Sequence, residues 1–550
     1  MAKKKKKNFL VQGSILAFAG IISQVIGLIY RIPLINIIGS EGMGYYNVAF
    51  SIYTVALMLT SYSLPLAVSK LVSARIAERK FKEANRMFKC ALSFAIIAGG
   101  FMTVIIYFGS DFIASKIMSM PKSTYALSVL APCIVIVSIL GVMRGFFQGN
   151  ESMIPTAMSQ VLEQIINAIT SIVAAYFLFR IGFAYYDKSK DPLGMAAAYA
   201  AAGGTLGTLA GALTSLVILV LIYYAFRSVW RRRVKNDRHR LTQKKADSYR
   251  ILMSTIGPVI LSATVYNITD FIDSGLFSNI MHWQGNDRGG YASLLGMMGG
   301  QYNTLINVPI AFAAALGSSL IPSLTRSIHE KNKKQIRNKI QTVTRFNMSI
   351  AIPCAVGFIV LAKPIMDLLF FTEDNVIPGR MLQIGGISVV FFCLSTVTNN
   401  VLQSFDDMMT PVKTGAIALL IHVVSLIIML TVFQWNIYGV IISKIIFAGS
   451  ICILNSHAIR RKIGYYQETR RTFIIPIISA VIMGIVAGFT HFFCILFINP
   501  IIATLISLIF AVITYIIAIL LLGGLTKDEI YEMPKGEKLV KIFTKLHLLH

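Results

Sequence analysis

The chain has 550 residues, of which 55% are hydrophobic and only 14% are charged, and its mean hydropathy is +0.69. Soluble domains carry roughly 25% charged residues, so this composition excludes an ordinary soluble enzyme and indicates a membrane protein. The net charge of +27 could suggest nucleic-acid binding, but the basic residues are spread over many loops rather than gathered in one patch.

Apolar stretches of about 20 or more residues recur along the whole chain, and each is long enough to cross a hydrocarbon core about 30 Å thick. Helices are expected because a lipid-exposed backbone must satisfy its own hydrogen bonds. We therefore predict an all-α integral membrane protein with about 14 transmembrane helices. The approximate spans are 10–38, 45–68, 89–109, 125–148, 155–180, 193–226, 251–281, 292–321, 346–370, 379–404, 411–433, 437–459, 472–497 and 500–523.

The basic residues alternate from loop to loop. Of the 51 Lys and Arg residues, 39 lie on one predicted side of the membrane and seven on the other. By the positive-inside rule this asymmetry predicts that both termini are cytoplasmic. It also predicts attraction to anionic membrane lipids. The segment Lys3–Lys7 and the apolar run that continues to Ile38 resemble a signal peptide, but the run is too long, so we interpret it as an uncleaved first helix.

An internal repeat of about 250 residues divides the chain. The turn at 148–155 is echoed at 403–411, where a Gln again ends a helix and a Met again precedes a Pro by two or three residues. Because six helices make each copy, the two lobes should share one orientation, as in parallel repeats of transporters. The predicted parts are an N-terminal six-helix lobe (1–226), a basic cytoplasmic linker (227–250), a C-terminal six-helix lobe (251–460), helices 13 and 14 (461–523) and a cytoplasmic tail (524–550).

Motifs of enzymes and motors are missing from the sequence. No Gly-x-x-x-x-Gly-Lys-Ser/Thr segment is present, no Ser-His-Asp set can be assembled, and the outer loops are all about 15 residues or shorter. The six Cys residues lack the spacing of metal ligands. We therefore expect a transporter rather than an enzyme, with no catalytic residue, no metal site and no cofactor.

Two arginines lie in or at the edge of spans, where an ionisable side chain is costly and suggests function. Arg31 follows Gln24 by one heptad, so the two share a face of helix 1. The alternative for Arg31 is that it extends its charge to the outer interface. Arg144 lies one turn from the cytoplasmic end of helix 4, where anchoring at the interface is the alternative.

Two carboxylates lie close together in helix 7. Asp270, Asp273 and Asn267 are spaced by three residues and fall on one stripe. Carboxylates this close in a low dielectric resist joint ionisation, so they predict a coupling site for Na⁺ or H⁺. A structural pair near the water interface is the alternative.

Further polar side chains complete the candidate site. Gln160, Glu163 and Gln164 form a stripe with Asn167 on helix 5, and this face cannot meet lipid. Hydrogen bonding between helices explains such a stripe equally well. Asn303 and Asn307 in helix 8 are candidates for lining a cavity, with packing again the alternative.

Several segments resemble the lipid-linked oligosaccharide flippases of the SpoVB/MurJ type, which belong to the multidrug/oligosaccharidyl-lipid/polysaccharide exporter (MOP) superfamily. The resemblance covers essentially the whole chain, and its motifs are specific when taken together. They are Gly27–Pro33, Gly39–Gly42, Leu64–Ser73, Arg144–Gly149, Met153–Ala157, Ser159–Gln164 and Leu320–Leu324.

The resemblance implies two lobes around a central cationic cavity, with helices 13 and 14 forming a groove for a lipid tail. It implies flipping of lipid II, an undecaprenyl-pyrophosphate-linked peptidoglycan precursor, by alternating access in a bacterial plasma membrane. Arg31 matches the arginine of helix 1 that is thought to meet the pyrophosphate. The expected substrate-binding set is Arg31, Gln24, Arg144, Gln160, Glu163, Gln164, Asn303 and Asn307.

Other functions remain open at this point. One alternative is a multidrug exporter of the same superfamily, coupled to H⁺ or Na⁺ through Asp270 and Asp273. Another is an exporter of a lipid-linked polysaccharide of the capsule or teichoic type. A membrane enzyme of envelope synthesis and a scaffold without transport are more remote alternatives. The expected partners are the lipid-linked glycan pyrophosphate and anionic membrane lipids. Cell-wall synthesis proteins are a further class of partner that the sequence neither indicates nor excludes.

Overall fold

A computed structural model describes residues 2–185, 191–239, 245–371, 374–405, 407 and 409–524, together with 527, 537, 540 and 544. Part of the predicted linker (240–244) and nearly all of the predicted tail therefore lie outside the described residues. All of the regular elements in the described part are helical. The chain forms two compact units, Met1–Gly300 and Gln301–His550, each of which is considered by itself.

The first unit contains nine α-helices in its described residues. Its helices pack along their lengths, with α5 lying against α6 and α3 against α4. They are α1 (Ala2–Thr60), α2 (Leu64–Ala77), α3 (Phe81–Phe112), α4 (Thr124–Gly149), α5 (Ile154–Tyr185), α6 (Pro192–Lys235), α7 (Lys245–Asn267), α8 (Thr269–Trp283) and α9 (Arg288–Gly296).

Helix α1 is interrupted by a backbone kink at Gly39, where φ is 69° and ψ is 172°. A residue with a side chain rarely adopts a positive φ, so glycine is needed at this position. The kink separates the two segments that the sequence predicted as the first two spans. Beyond the kink, α1 lies so close to α9 that a Cβ at Gly296 would be 1.8 Å from the Ser40 carbonyl oxygen.

Helix α6 is 44 residues long, which corresponds to about 66 Å at 1.5 Å per residue and exceeds the thickness of a bilayer. It therefore continues through the first part of the predicted linker. Asp237, just after α6, accepts a hydrogen bond of 2.9 Å from the backbone N–H of Lys82 at the start of α3. Burial by itself would raise the pKa of the Asp237 carboxyl, but hydrogen bonds from Lys82 and His239 lower the pKa to about 2. This anchor is therefore at full strength above about pH 4.

The second unit contains nine further α-helices in its described residues. The last two helices pack against each other, and α17 lies along α11. Tyr515 on α18 donates a hydrogen bond of 2.7 Å to the Ser349 carbonyl on α11. The helices are α10 (Asn303–His329), α11 (Lys333–Val360), α12 (Ala362–Leu369), α13 (Val376–Gly385), α14 (Ser388–Ser404), α15 (Met409–Thr431), α16 (Asn436–Ile463), α17 (Ile475–Cys494) and α18 (Pro500–Leu521).

The described part of the chain has 10 helices that are long and apolar enough to cross a membrane, or 11 if the pair α13 and α14, bent by 47°, counts as one span. The predicted number of 14 is not confirmed. The second predicted span and most of the first fall within one long helical segment, 18–77. The predicted span 251–281 is divided between α7 and α8, and the span 292–321 between α9 and α10; none of these four helices is among the ten found in the described residues.

The boundary between the compact units differs from the lobe boundary that the repeat predicts. Helix α7 begins within the predicted linker, and α8 and α9 follow it, yet all three belong to the first unit. The predicted lobes are defined by the internal repeat in the sequence, whereas the compact units are defined by contacts between residues in the structure. The lobe boundaries at 226 and 251 therefore remain a prediction about the repeat.

Candidate functional site

The predicted site residues are divided between the two units. Nine lie in the first unit, on α1, α4, α5, α7 and α8, and two lie in the second unit, on α10.

Arg31 lies on the first half of α1 and is half-buried, whereas Gln24, one heptad earlier, is exposed. Within the described residues Arg31 forms no ion pair. Its guanidinium is therefore not neutralised by a described carboxylate.

Arg144 has a different environment, because it joins three helices. Its Nη2 lies 2.5 Å from Glu163 Oε2 on α5 and donates a hydrogen bond of 3.1 Å to Ser215 Oγ on α6. Its Nε donates a hydrogen bond of 3.1 Å to Ser159 Oγ on α5. The side chains of Arg144 and Glu163 are only 15% and 23% exposed. The charge of Arg144 is thus balanced inside the unit, and the network ties α4, α5 and α6 together.

The polar stripe of α5 faces more than one neighbour. Gln160 and Gln164 are half-buried, and Gln164 faces α1, since a Cβ at Gly27 would be 3.9 Å from Gln164 Oε1. Asn167 donates a hydrogen bond of 3.4 Å to the Tyr30 hydroxyl on α1 and accepts one of 3.0 Å from Ser171. The hydrogen bond from Asn167 to Tyr30 joins α5 to α1. Hydrogen bonding between helices was the alternative interpretation of this stripe.

A stripe of glycines on α6 positions α5, and the sequence analysis did not single it out. A Cβ at Gly207 would lie 2.0 Å from Ser171 Oγ and 2.5 Å from the Asn167 carbonyl oxygen. At Gly203 and Gly211, one turn to either side, a Cβ would lie 2.6 Å from a backbone carbonyl oxygen of α5. The four-residue spacing of small residues is the signal that could have revealed this contact.

The carboxylates predicted for ion coupling lie on α8, just after a break that the sequence did not predict. Helix α7 ends at Asn267 and α8 begins at Thr269, although hydrogen bonds continue across the junction. Asp273 is completely buried, whereas Asp270 and Asn267 are exposed. The two carboxylates share a helix, but only Asp273 is buried. They therefore do not form the pair of buried carboxylates that the sequence predicted.

A second polar cluster, which the sequence analysis missed, lies in the first unit at the predicted outer ends of the helices. Lys122 forms ion pairs with Glu41, at 3.6 Å, and with Asp191. The hydroxyl of Tyr45 donates a hydrogen bond of 2.5 Å to Glu41 Oε1. The bond from the Lys122 ammonium lowers the pKa of the Asp191 carboxyl. Glu41 belongs to the segment Gly39–Gly42, which the sequence had shown only as a family motif.

The second unit holds the two remaining candidates on one face of α10. Asn303 is half-buried and Asn307, one turn later, is exposed. A separate buried network surrounds Asn455 on α16. Its Oδ1 accepts a hydrogen bond of 2.7 Å from the Thr414 hydroxyl, and its Nδ2 donates one of 2.7 Å to Asn399 Oδ1. This network joins α14, α15 and α16, so packing accounts for it.

Metal-binding and thiol chemistry find little support in the described residues. Among them, His, Cys, Asp and Glu side chains form no group of three or more that could hold a metal ion. All six cysteines are free thiols, four of them buried.

Comparison with known proteins identifies the fold and the family. The family model described as "Polysaccharide biosynthesis protein" matches residues 9–328, more than half of the chain, and the MatE model matches residues 299–428. The lipid II flippase MurJ of Bacillus subtilis is 24% identical over 490 residues, which cover 86% of this chain and 87% of the flippase.

Solved structures of two kinds share the fold. A lipid II flippase MurJ in an inward closed conformation has a TM-score of 0.65 at 14% identity, covering 92% of this chain and 97% of that chain. An inward-facing multidrug resistance MATE family transporter has a TM-score of 0.66 at 15% identity, covering 80% of this chain and 94% of that one. Together with the multiple apolar helices, these matches confirm a multi-pass, two-lobed membrane transporter fold. The chain belongs to the polysaccharide biosynthesis protein family, in agreement with the resemblance of its motifs to SpoVB/MurJ-type proteins.

Proposed function

We propose that the protein is a flippase that moves an undecaprenyl-pyrophosphate-linked glycan precursor from the inner to the outer leaflet of a bacterial plasma membrane. Lipid II for peptidoglycan synthesis is the substrate we propose, and alternating access is the proposed mode of transport. The proposal is supported by a relative named as a lipid II flippase, which aligns over most of both chains.

The observation that carries the proposal is the contrast between the two arginines in the spans of the first unit. Arg144 is balanced by Glu163. Arg31 is half-buried and has no ion pair among the described residues, so its guanidinium can receive an anion from outside the chain. A pyrophosphate cannot cross hydrocarbon unaided because burying its charge is prohibitive. A guanidinium can bind its oxygens with a bidentate fork.

The other proposed contacts with the head group are made by amide side chains that are at least partly exposed. Gln24 and Asn307 are exposed, and Gln160, Gln164 and Asn303 are half-buried. Amide groups of this kind can donate hydrogen bonds to phosphate and sugar oxygens. Arg144 and Glu163 would then shape the site by fixing α5, rather than by touching the head group.

Two features of the setting are also part of the proposal. Both termini are placed in the cytoplasm because of the asymmetry of basic loops. An anionic lipid moving outward across an inside-negative membrane is favoured by about 2.3 kcal/mol per charge per 100 mV. A cation at Asp270 or Asp273, either Na⁺ or H⁺, would therefore serve to reset the empty carrier rather than to drive the flip.

A second candidate function, multidrug export coupled to H⁺ or Na⁺, is favoured by the likeness to a multidrug transporter. The deciding experiment uses the purified full chain in proteoliposomes that contain fluorescent lipid II, a lipid-linked polysaccharide precursor or a cationic dye. We expect protein-dependent movement of lipid II to the opposite leaflet and no uptake of the dye. Dye transport without lipid movement would replace the proposal with drug export, and movement of only the polysaccharide precursor would change the substrate.

A further inference from the structure

An apolar groove of about 830 Å³ lies in the first unit, between the first half of α1 and the first turns of α5. Its volume is within the range of about 300–1,000 Å³ that is usual for ligand sites. The wall formed by α1 is a stripe of residues spaced by three and four positions, which therefore share one face of the helix. They are Ile15, Phe18, Ala19 and Ile22.

Side-chain size explains why the two helices leave a gap here. Ala19 on α1 and Ala157 on α5 line the floor and are each only 5% exposed. Their neighbours in the sequence, Phe18 and Met158, line the rim and are 65% and 49% exposed. A methyl group is too short to fill the space between two helix backbones. The lining thus lacks dispersion contacts on one side, which favours filling of the groove by an apolar chain.

The groove belongs to the membrane-spanning part of the unit. Both α1 and α5 contain segments that are long and apolar enough to cross a membrane. The wall formed by α5 ends at Leu162, eight residues after the helix begins at Ile154, or about 12 Å along the axis. The positive-inside rule predicts that both helices begin on the cytoplasmic side. In that orientation the groove lies in the inner leaflet, where lipid chains are the apolar molecules available.

Polar side chains close the groove at its deeper end. Just beyond Leu162, Gln164 faces α1, where a Cβ at Gly27 would be 3.9 Å from its Oε1. One turn later, Asn167 donates a hydrogen bond of 3.4 Å to the Tyr30 hydroxyl and joins the two helices. The groove therefore leads from the cytoplasmic end of the helices to amide groups inside the span. An ordinary phospholipid keeps its polar head at the interface, whereas a transported lipid must bring its head past this depth.

Helix α1 carries the groove and the proposed head-group contacts on different faces. Gln24 follows Ile22 by two residues, which turns its side chain about 200° around the axis at 3.6 residues per turn. Arg31, one heptad after Gln24, shares that face and lies about 14 Å beyond Ile22 along the helix. An amphiphile with one apolar chain and an anionic head matches this separation.

We propose that the groove between α1 and α5 binds the polyprenyl chain of the transported lipid, at the isoprenoid units next to the pyrophosphate. The chain stays in the groove while the head group moves along the polar face of α1 towards Arg31. This site lies in the first unit and differs from the groove that the family resemblance implies for helices 13 and 14. The inference rests on the proposed function for its substrate and adds a binding site for the tail.

Photocrosslinking of the purified full chain in proteoliposomes tests the site. The probe is undecaprenyl pyrophosphate with a diazirine in the isoprenoid units next to the pyrophosphate, and labelled peptides are mapped by mass spectrometry. We expect labelling of segments 15–22 and 157–162. An excess of unlabelled undecaprenyl pyrophosphate should abolish this labelling, and the same excess of phosphatidylglycerol should not.

Variants of the groove supply the matched comparison. Ala157→Leu fills the floor and should reduce labelling of the groove at least about threefold, because it displaces buried methylene groups of the chain. Phe18→Ala combined with Met158→Ala removes the exposed rim and should also reduce labelling, which answers the question if Ala157→Leu does not fold. Phe177→Ala, at an exposed position farther along α5, should leave labelling unchanged.

The outcomes separate this site from the proposed function. The groove is rejected if the probe labels α17 and α18 instead, if phosphatidylglycerol competes as well as the prenyl lipid, or if the rim variant is labelled like the wild type. Lipid II flipping by the wild type is measured in the same proteoliposomes. Flipping without labelling of the groove would reject the groove alone. Labelling that only the prenyl lipid abolishes, without flipping of lipid II, would support the groove and reject the proposed substrate.

Discussion

Arg144 on α4 and Glu163 on α5 form an ion pair of 2.5 Å inside the first unit, with little exposure to solvent. Both residues were predicted to bind substrate, but in the structure each is the other's partner. Ser159 and Ser215 complete the hydrogen bonds of the guanidinium, so the group is satisfied without a ligand. The pair therefore acts first on packing, and any effect on transport should follow from the position of α5.

The ion pair predicts strong coupling between its two members. Replacing either residue by Met leaves the other charge buried without its partner, which we expect to cost roughly 1–3 kcal/mol of the free energy of unfolding. The double variant should lose less than the sum of the two single variants. Denaturation of all four proteins in nanodiscs measures this cycle. Simple additivity would show that the pair contributes nothing, and a direct substrate role for Arg144 would then regain support.

The contact between α5 and α6 predicts that a single methyl group is destabilising. In Gly207→Ala the new Cβ meets Ser171 Oγ at 2.0 Å and a backbone carbonyl of α5 at 2.5 Å, so the helices must separate. Overpacking of this kind costs about 1–3 kcal/mol. Gly100→Ala is the matched control, because a Cβ at Gly100 meets nothing within 4 Å. Tm should fall for Gly207→Ala only; equal values for both variants would contradict the close packing.

Much of the fold could be predicted because membrane crossing imposes a simple rule on composition and length. The helical class and the family followed from apolar runs and short motifs. The kink at Gly39 falls between two predicted spans, since glycine and polar residues interrupt the apolar pattern there. The span count was less secure, because hydropathy does not show where α7 ends and α8 begins.

The site was predicted only as a set of residue types. Spacing along one helix shows which side chains share a face, and so it grouped Glu163 with Gln160 and Gln164. It does not show which face meets which neighbour, so the pairing of Glu163 with Arg144, 19 residues away, could not be derived. For the same reason, the contacts of Lys122 with Glu41 and Asp191 were missed, since they join segments that are distant in the sequence.

The basic loops predict the side of the membrane on which each loop lies. Single Cys residues are introduced, in a background without native Cys, at Asp287, Asn236 and Lys333, all of which are described and lie at or next to helix ends. Impermeant thiol reagents added to intact cells should label Asp287→Cys and should not label the other two. After the cells are opened, all three should react. The reverse pattern in intact cells would place both termini outside.

Asp273 is predicted to serve ion coupling rather than recognition of the head group. It is completely buried, and a buried carboxylate is stabilised when a cation lies beside it. Asp273→Asn should therefore slow turnover while substrate affinity stays close to the wild-type value, and turnover should lose its response to Na⁺ or pH. Asp270→Asn, at an exposed position on the same helix, is the comparison and should have the smaller effect. Normal turnover of Asp273→Asn in every ion condition, or loss of binding alone, would disprove the coupling role.

Arg31 is predicted to bind the anionic head group, and its effect on transport should be separable from stability. Because Arg31 has no ion pair among the described residues, Arg31→Ala should leave Tm nearly unchanged. Each charge-assisted hydrogen bond to phosphate contributes about 1.5–3 kcal/mol, so losing the fork should reduce lipid II flipping at least about tenfold. Arg31→Lys should recover only part of the rate, since an ammonium offers a point charge without the fork. The control is Arg180→Ala, at an exposed position near the C-terminal end of α5. This variant should flip lipid at the wild-type rate. Flipping rate and lipid affinity are measured together in proteoliposomes. If Arg31→Ala flipped lipid at the wild-type rate, the residue would instead be an arginine that extends to the interface.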